Sequence, residues 1–192
     1  MAVAGAGSGV PPRNAFLAFE PSEGELHSLA AALTEASPGS PLPGRRVPAT
    51  NWHVTLRFLG PVDDVACDRI AGFLDESLDL ESGTIVVRGL GAFPKASNAS
   101  IVYAAVDDAD GTVGALAAQC DEAAQSAGLE PEGRPFVPHI TLTRLRPRVD
   151  VRSVVDRLGD FSVRMSVRAV TLFRTESVRR GVRYSAVHRI EL

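Results

Sequence analysis

Four histidines occur in the chain, at positions 27, 53, 139 and 188. Two of them open the same short pattern of histidine, aliphatic residue, threonine and leucine: HVTL from His53 and HITL from His139. At background usage of about 5% for Thr and about 10% for Leu, two such matches among four histidines arise by chance on the order of once in 10⁴ sequences. On extended backbone, residues i and i+2 share a face. His53 therefore stands beside Thr55, and His139 beside Thr141, while Val54, Leu56, Ile140 and Leu142 point the other way into a core. Two such strands facing one another put two imidazoles and two hydroxyls around one point. That set suits a phosphodiester. The hydroxyls donate to non-bridging oxygens, one imidazole takes a proton from water, and the other supplies one to the leaving oxygen. Histidine, with an unperturbed pKa near 6.5, can take either part at neutral pH. A zinc site is the rival, but no Cys, Asp or Glu joins the pair at ligand spacing and neither motif is H-E-x-x-H, so no metal or other cofactor is expected. His27, on the first helix, reads as a surface residue; His188, in the last strand, is more ambiguous and reads as structural.

Regular elements must position these motifs. Residues 13–19 read as a short buried strand, and 22–36 as a helix opened by the Ser22/Glu25 capping box. A Pro, Gly and Ser-rich loop spans 37–50. Strand 52–59 alternates, with His53, Thr55 and Arg57 on one face and Val54, Leu56 and Phe58 on the other. A helix follows over 63–78 and a strand over 84–90. The order then restarts: strand 100–106, helix 112–127 ended by Gly128, loop 129–136, strand 137–145. A short helix over 151–158 stops at Gly159, and strands 161–174 and 182–191 meet at a turn near Arg180–Gly181. The two motif histidines are 86 residues apart, and the same shift carries strand 13–19 onto 99–105. The expected fold is α+β and bilobal, with halves of about 13–95 and 99–192. Each lobe would carry one H-x-T-L strand, and a two-fold-like pairing would bring the two motifs face to face across a cleft.

The chain has 192 residues, enough for a sizeable core, and 45% of them are hydrophobic. No apolar run approaches a membrane span of about 18 residues. Residues 1–12 are small and uncharged, unlike a secretory signal, and read as a disordered tail. Cys67 and Cys120 lack metal spacing and read as free thiols of a reducing cytoplasm. Net charge is −3 but uneven: residues 134–192 carry 13 Arg against 5 acids, and the remainder 7 Lys or Arg against 18 acids. The basic C-terminal third points to an anionic partner.

The chain resembles the 2H phosphoesterases, and within them the RNA 2′,3′-cyclic phosphodiesterase family, also called 2′-5′ RNA ligase. The resemblance rests on HVTLRFLG, on GLGAFP at 89–94, on RPFVPHITLTR at 134–144 and on TLFRTESVRRGVRYSAV near the C-terminus. Phe19 and the long loop at 37–48 depart from the family's usual pattern. The resemblance implies that His53 is the proton donor to the 3′ oxygen and His139 the acceptor from water, giving a 2′-phosphate. It implies a bilobal α+β fold in which two antiparallel sheets line a central cleft, helices outside, one H-x-T-x strand per lobe, and that Thr55 and Thr141 hold the phosphate. Arg134 and Arg144 flank the second motif and are candidate substrate contacts, although Arg144 has the wrong strand parity to share the face of His139. Phe16 is a candidate base-stacking platform or a core residue, and Phe58 reads as core. The implied partner is RNA ending in a 2′,3′-cyclic phosphate, bound by a monomer with no membrane association. Two other readings stay open: a 2H enzyme acting on 2′-5′ oligoadenylate or a small cyclic nucleotide, and a non-enzymatic module that binds RNA ends.

Overall fold

Alternating apolar residues build the strands, and capped amphipathic stretches the helices. The structure, a computed structural model, describes residues 13–37, 39, 41–158, 161–178 and 181–192. In chain order the elements are β1 (Arg13–Phe19), α1 (Glu23–Ala36), β2 (Arg45–Arg46), a 3-10 turn (Ala49–Asn51), β3 (Val54–Val62), α2 (Asp64–Ser77), β4 (Gly83–Phe93), a second 3-10 turn (Ala96–Asn98), β5 (Ala99–Asp107), α3 (Thr112–Ser126), β6 (His139–Val149), α4 (Arg152–Arg157), β7 (Ser162–Val167), β8 (Ala169–Val178) and β9 (Gly181–Glu191). The capping box at α1 forms as expected: the Ser22 N–H donates to Glu25 Oε2 at 2.7 Å, and the Glu25 N–H to Ser22 Oγ at 3.4 Å. Gly128 follows α3 at φ +88°, the left-handed C′ position that favours glycine.

The strands run antiparallel in the order β7-β4-β5-β6-β3-β1-β8-β9, with β2 added beside β6. Two four-stranded halves are joined where β6 meets β3, and the sheet curls into a half-barrel with an open concave face. The expected α+β fold is therefore present, with the two expected sheets joined as halves of one continuous nine-stranded sheet. The boundaries 13–95 and 99–192 divide the chain but not the sheet. β4 leaves the first segment to lie between β5 and β7, and β8 returns from the second to pair with β1. Helices cross in the same way. The α1 residue Glu25 accepts the Ser166 N–H of β7 at 2.6 Å, and α3 packs behind β3. This exchange explains one correction. The stretch 161–174 is not one strand; it breaks at Arg168 into β7 and β8, which belong to opposite halves. The loop over 37–50 also contains the two-residue strand β2. The tail 1–12, the helix stop at Gly159 and the turn residue Arg180 lie outside the described residues.

The main core lies between the sheet and its helices. It holds Leu17, Phe19, Leu29, Val54, Ile70, Leu74, Leu116 and Ile140, together with both free cysteines. A second, smaller cluster of Phe16, Ala18 and Phe173, with Tyr184 against it, lies on the concave face. Among the described residues no helix is long and apolar enough to cross a membrane.

Arg57 was expected beside His53 and Thr55; it is instead buried on the helix side. Its guanidinium pairs with Asp121 of α3 at 2.6 Å and donates to the Phe58 and Glu130 carbonyls. Asp121 in turn accepts the Glu132 N–H at 3.0 Å. The strand of one histidine thereby holds the loop that leads into the other. Arg57→Met keeps apolar bulk but removes the cation that pairs with Asp121 and the donor to the Phe58 and Glu130 carbonyls. It is expected to lower unfolding free energy by about 2 kcal/mol. Thermal unfolding checks this; an unchanged or raised Tm would show that the tie contributes nothing.

Candidate active site

Both motif strands depart from simple alternation at the same place. In the β1–β3 pairing, Ala18 faces Thr55 and Leu17 faces Arg57, so Leu56 is an extra, bulged residue. In the β5–β6 pairing, Tyr103 faces Thr141 and Val102 faces Thr143, so Leu142 is bulged in the same way. Each bulge turns two successive residues toward the core and reverses the parity of the residues beyond it. Arg57 and Thr143 are drawn in, while Phe58 and Arg144 swing out to the concave face. The parity conflict of Arg144 is thereby resolved, and it shares the face of His139 and Thr141 after all. Phe58 is also corrected: paired with Phe16 and 49% exposed, it is no core residue. Phe58 and Arg144 occupy equivalent positions, each five residues beyond its histidine.

β3 and β6 pair antiparallel at Val54–Ile140, both fully buried. Carried one residue in each direction, that register sets His53 against Thr141 and Thr55 against His139. All four side chains thus share the concave face around a local two-fold centre. Each ring is held in the same way. His53 Nδ1 lies 2.8 Å from the Asn51 carbonyl oxygen, and His139 Nδ1 lies 2.7 Å from that of Val137. A carbonyl only accepts, so both Nδ1 atoms carry the proton and both Nε2 atoms are left with a lone pair for the cleft.

Aromatic rings wall each imidazole. Phe16 stacks on His53 at 4.9 Å between centroids and 29° between planes, and Tyr184 meets it edge-on at 5.1 Å and 89°. Phe93 and Tyr103 both lie 5.0 Å from His139 and stack on each other at 4.5 Å. Gly91, cross-strand from Tyr103, makes room for that ring, because a Cβ there would collide with it. Phe16 is only 3% exposed, packed between His53 and Phe173, so it supports the histidine and is closed to a base. Arg134 is not brought to the site. It lies on the approach loop, its side chain 80% exposed and bonded through Nε and Nη2 to Glu132. His27 is exposed, and His188 pairs with Asp75 at 2.9 Å. Tyr184, Phe93 and Tyr103 were not anticipated. The bulges had a signal, since the buried pairs Leu56/Leu59 and Leu142/Leu145 are each three apart, which strict alternation forbids.

Burial is the largest influence on the histidines and favours their neutral forms. His53 is pushed down to about 4 by burial, with further repulsion from His139 and Arg144. His139 is also lowered, by burial and then by Arg144. Arg144 therefore acts on both rings from the cleft. The arrangement brings two possible proton carriers, two hydroxyls and the Arg144 cation to one face, a set that could receive an anion.

Known proteins share this architecture. The solved structure of E. coli LigT complexed with 3′-AMP has a TM-score of 0.75 at 23% identity, covering 95% of this chain and 99% of that one. TT0787 of Thermus thermophilus gives 0.73 at 24%, covering 93% and 97%. An RNA 2′,3′-cyclic phosphodiesterase of Aeropyrum pernix is 28% identical over 165 residues, 84% of this chain and 93% of that protein. One from Methanocaldococcus jannaschii is 24% identical over 111 residues, 58% and 61% of the two chains. A family model described as the 2′-5′ RNA ligase superfamily matches residues 25–179, which takes in both histidine motifs and the strands that carry them. The chain belongs to the 2′-5′ RNA ligase superfamily, a group of 2H phosphoesterases.

Proposed function

We propose that this protein hydrolyses the 2′,3′-cyclic phosphate ends of RNA to 2′-phosphomonoesters, with His53 and His139 as its acid–base pair. The carrying observation is the matched anchoring of the two imidazoles, Nδ1–H on a carbonyl two residues back and Nε2 free, on one face with two threonines. The relatives named RNA 2′,3′-cyclic phosphodiesterase support the choice of substrate. The threonine hydroxyls donate to the non-bridging oxygens, and Arg144 offsets the phosphate charge. His139 Nε2 takes a proton from water as its oxygen bonds to phosphorus. The P–O3′ bond breaks, and His53 Nε2–H protonates the departing O3′. The two rings end with their protonation exchanged and reset through solvent. With an RNA 5′-hydroxyl in place of water, the same steps form a 2′-5′ linkage; in water hydrolysis dominates. Both histidines come from one chain, so a monomer suffices.

Deleting either histidine tests this. On a short RNA with a 2′,3′-cyclic phosphate end, His53→Ala and His139→Ala are each expected to lose on the order of 10²-fold or more in kcat. The wild type should turn over in excess EDTA and release a 2′-phosphate. A fully active single mutant, or activity abolished by EDTA, would sink the mechanism.

The acidity of the free protein sets the pH profile. Turnover needs one ring protonated and the other neutral. The first proton binds below the ordinary histidine value of 6.5, and the second near about 4. The pair titrates as a unit. Burial favours the first proton on His139, so the donor role of His53 requires the bound phosphate to draw a proton onto it. kcat/KM should therefore peak between about 4 and 6.5, falling above as the last proton leaves and below as the second arrives. The kcat profile should lie at higher pH, because bound phosphate stabilises the imidazolium. A kcat/KM optimum above pH 7 would contradict this ordering.

Phe58 offers the exposed ring that Phe16 does not, and it would stack on the terminal base. Phe58→Ala is expected to lower kcat/KM about tenfold on a nucleoside cyclic phosphate and far less on ribose 2′,3′-cyclic phosphate without a base. Equal losses on the two would remove the stacking role.

A further inference from the structure

Beyond the reacting phosphate, β2 sets a second cation on the same face. Arg45 and Arg46 pair with Arg144 and Thr143 of β6. Directly opposed residues of an antiparallel pair share a face. Arg45 therefore stands beside Arg144 on the concave side. Arg46 turns to the other side, where with Leu142, Thr143 and Trp52 it lines a cavity of about 410 Å³ behind the sheet. Arg45 and Arg144 are both exposed. Arg45 also reaches from the β6 half of the sheet to the β9 half. Its Nη2 lies 2.7 Å from where a Cβ of Gly181 would stand, at a residue whose φ is +140°. There Asn51 Nδ2 donates to the Val182 carbonyl at 3.1 Å, closing this end of the trough.

We infer that Arg45 holds the phosphodiester next to the cyclic end, so that the protein selects an RNA strand over a mononucleotide. This rests on the function proposed above. Arg144 serves the terminal phosphate between the histidines. Cross-strand neighbours are separated by about 5 Å, and the next phosphate of an extended strand comes to lie over Arg45. The strand then leaves past Gly181 and Val182.

The test compares kcat/KM on adenosine 2′,3′-cyclic phosphate with kcat/KM on an adenosine trinucleotide bearing the same end. Wild type should favour the trinucleotide. Arg45→Ala should lower that preference about tenfold, and Arg45→Lys should keep part of it. Arg46→Ala removes the same charge from the same strand on the other face, and its preference should match wild type. Thermal unfolding of each variant checks that all are folded. A preference unchanged by Arg45→Ala, or lowered equally by Arg46→Ala, overturns the inference and leaves the proposed function standing. A wild type inert on both substrates overturns both.

Discussion

The backbones of β3 and β6 meet at Val54 and Ile140, two fully buried aliphatic residues facing the helices. Whatever these two side chains do, the residues on either side must do the opposite, because strand side chains alternate. Burying Val54 and Ile140 thus forces His53, Thr55, His139 and Thr141 out together on the concave face. The antiparallel sense of the pair places each histidine against the other motif's threonine. The hydrophobic effect, which has no direction of its own, becomes here a tight constraint on four polar side chains.

Further out, the same strands use a different device. Bulges at Leu56 and Leu142 put Leu and its successor on the core side, so the residues three beyond each threonine reach the site. The duplicated scaffold then carries unlike groups at like positions, an aromatic ring at Phe58 and a cation at Arg144. On the proposed function, such a site is symmetric where a tetrahedral phosphate would bind and asymmetric where the two sides of a nucleotide differ. The aromatic walls follow this division. Phe16 and Tyr184 enclose His53, and Phe93 and Tyr103 enclose His139, so both rings are fixed and both are partly withdrawn from water. Withdrawal makes each imidazole harder to protonate, and an anionic substrate reverses that effect. The proposed acid–base roles would in this way couple proton supply to substrate binding through one electrostatic balance.

Strand exchange makes the two halves mechanically one. β4 and β8 each cross into the other half's sheet, α1 and α3 pack behind the half they do not start from, and Arg57 ties the histidine strand β3 to the loop before β6. A cleft between two independent lobes would widen and narrow freely. Here the two imidazoles are held by a shared sheet, which suits a reaction whose acid and base must act on opposite sides of one phosphorus atom.

The local code was legible in the residues themselves. The paired H-x-T-L motifs, the alternation of β3 and β6 within those motifs, the Ser22 capping box and the Gly128 stop are all short-range features, and each depends on dihedral preference and periodicity that a few neighbouring residues determine. That is why the candidate acid–base pair and most element boundaries could be read from the chain. What the chain did not disclose depended on partners far away in sequence. Arg57 looks like a site residue until Asp121 and Glu130 claim it. Phe16 reads as either a stacking platform or a core residue until Phe173 and Tyr184 close over it. Phe58 looks buried until a bulge against β1 turns it out. The break at Arg168 is explained only by which half of the sheet receives β7 and β8. Sequence determined which groups could do chemistry, because side-chain type and strand period are local. Tertiary structure decided which of them face the substrate, because register, bulges and long-range pairing are settled only when the two halves of the sheet close on one core.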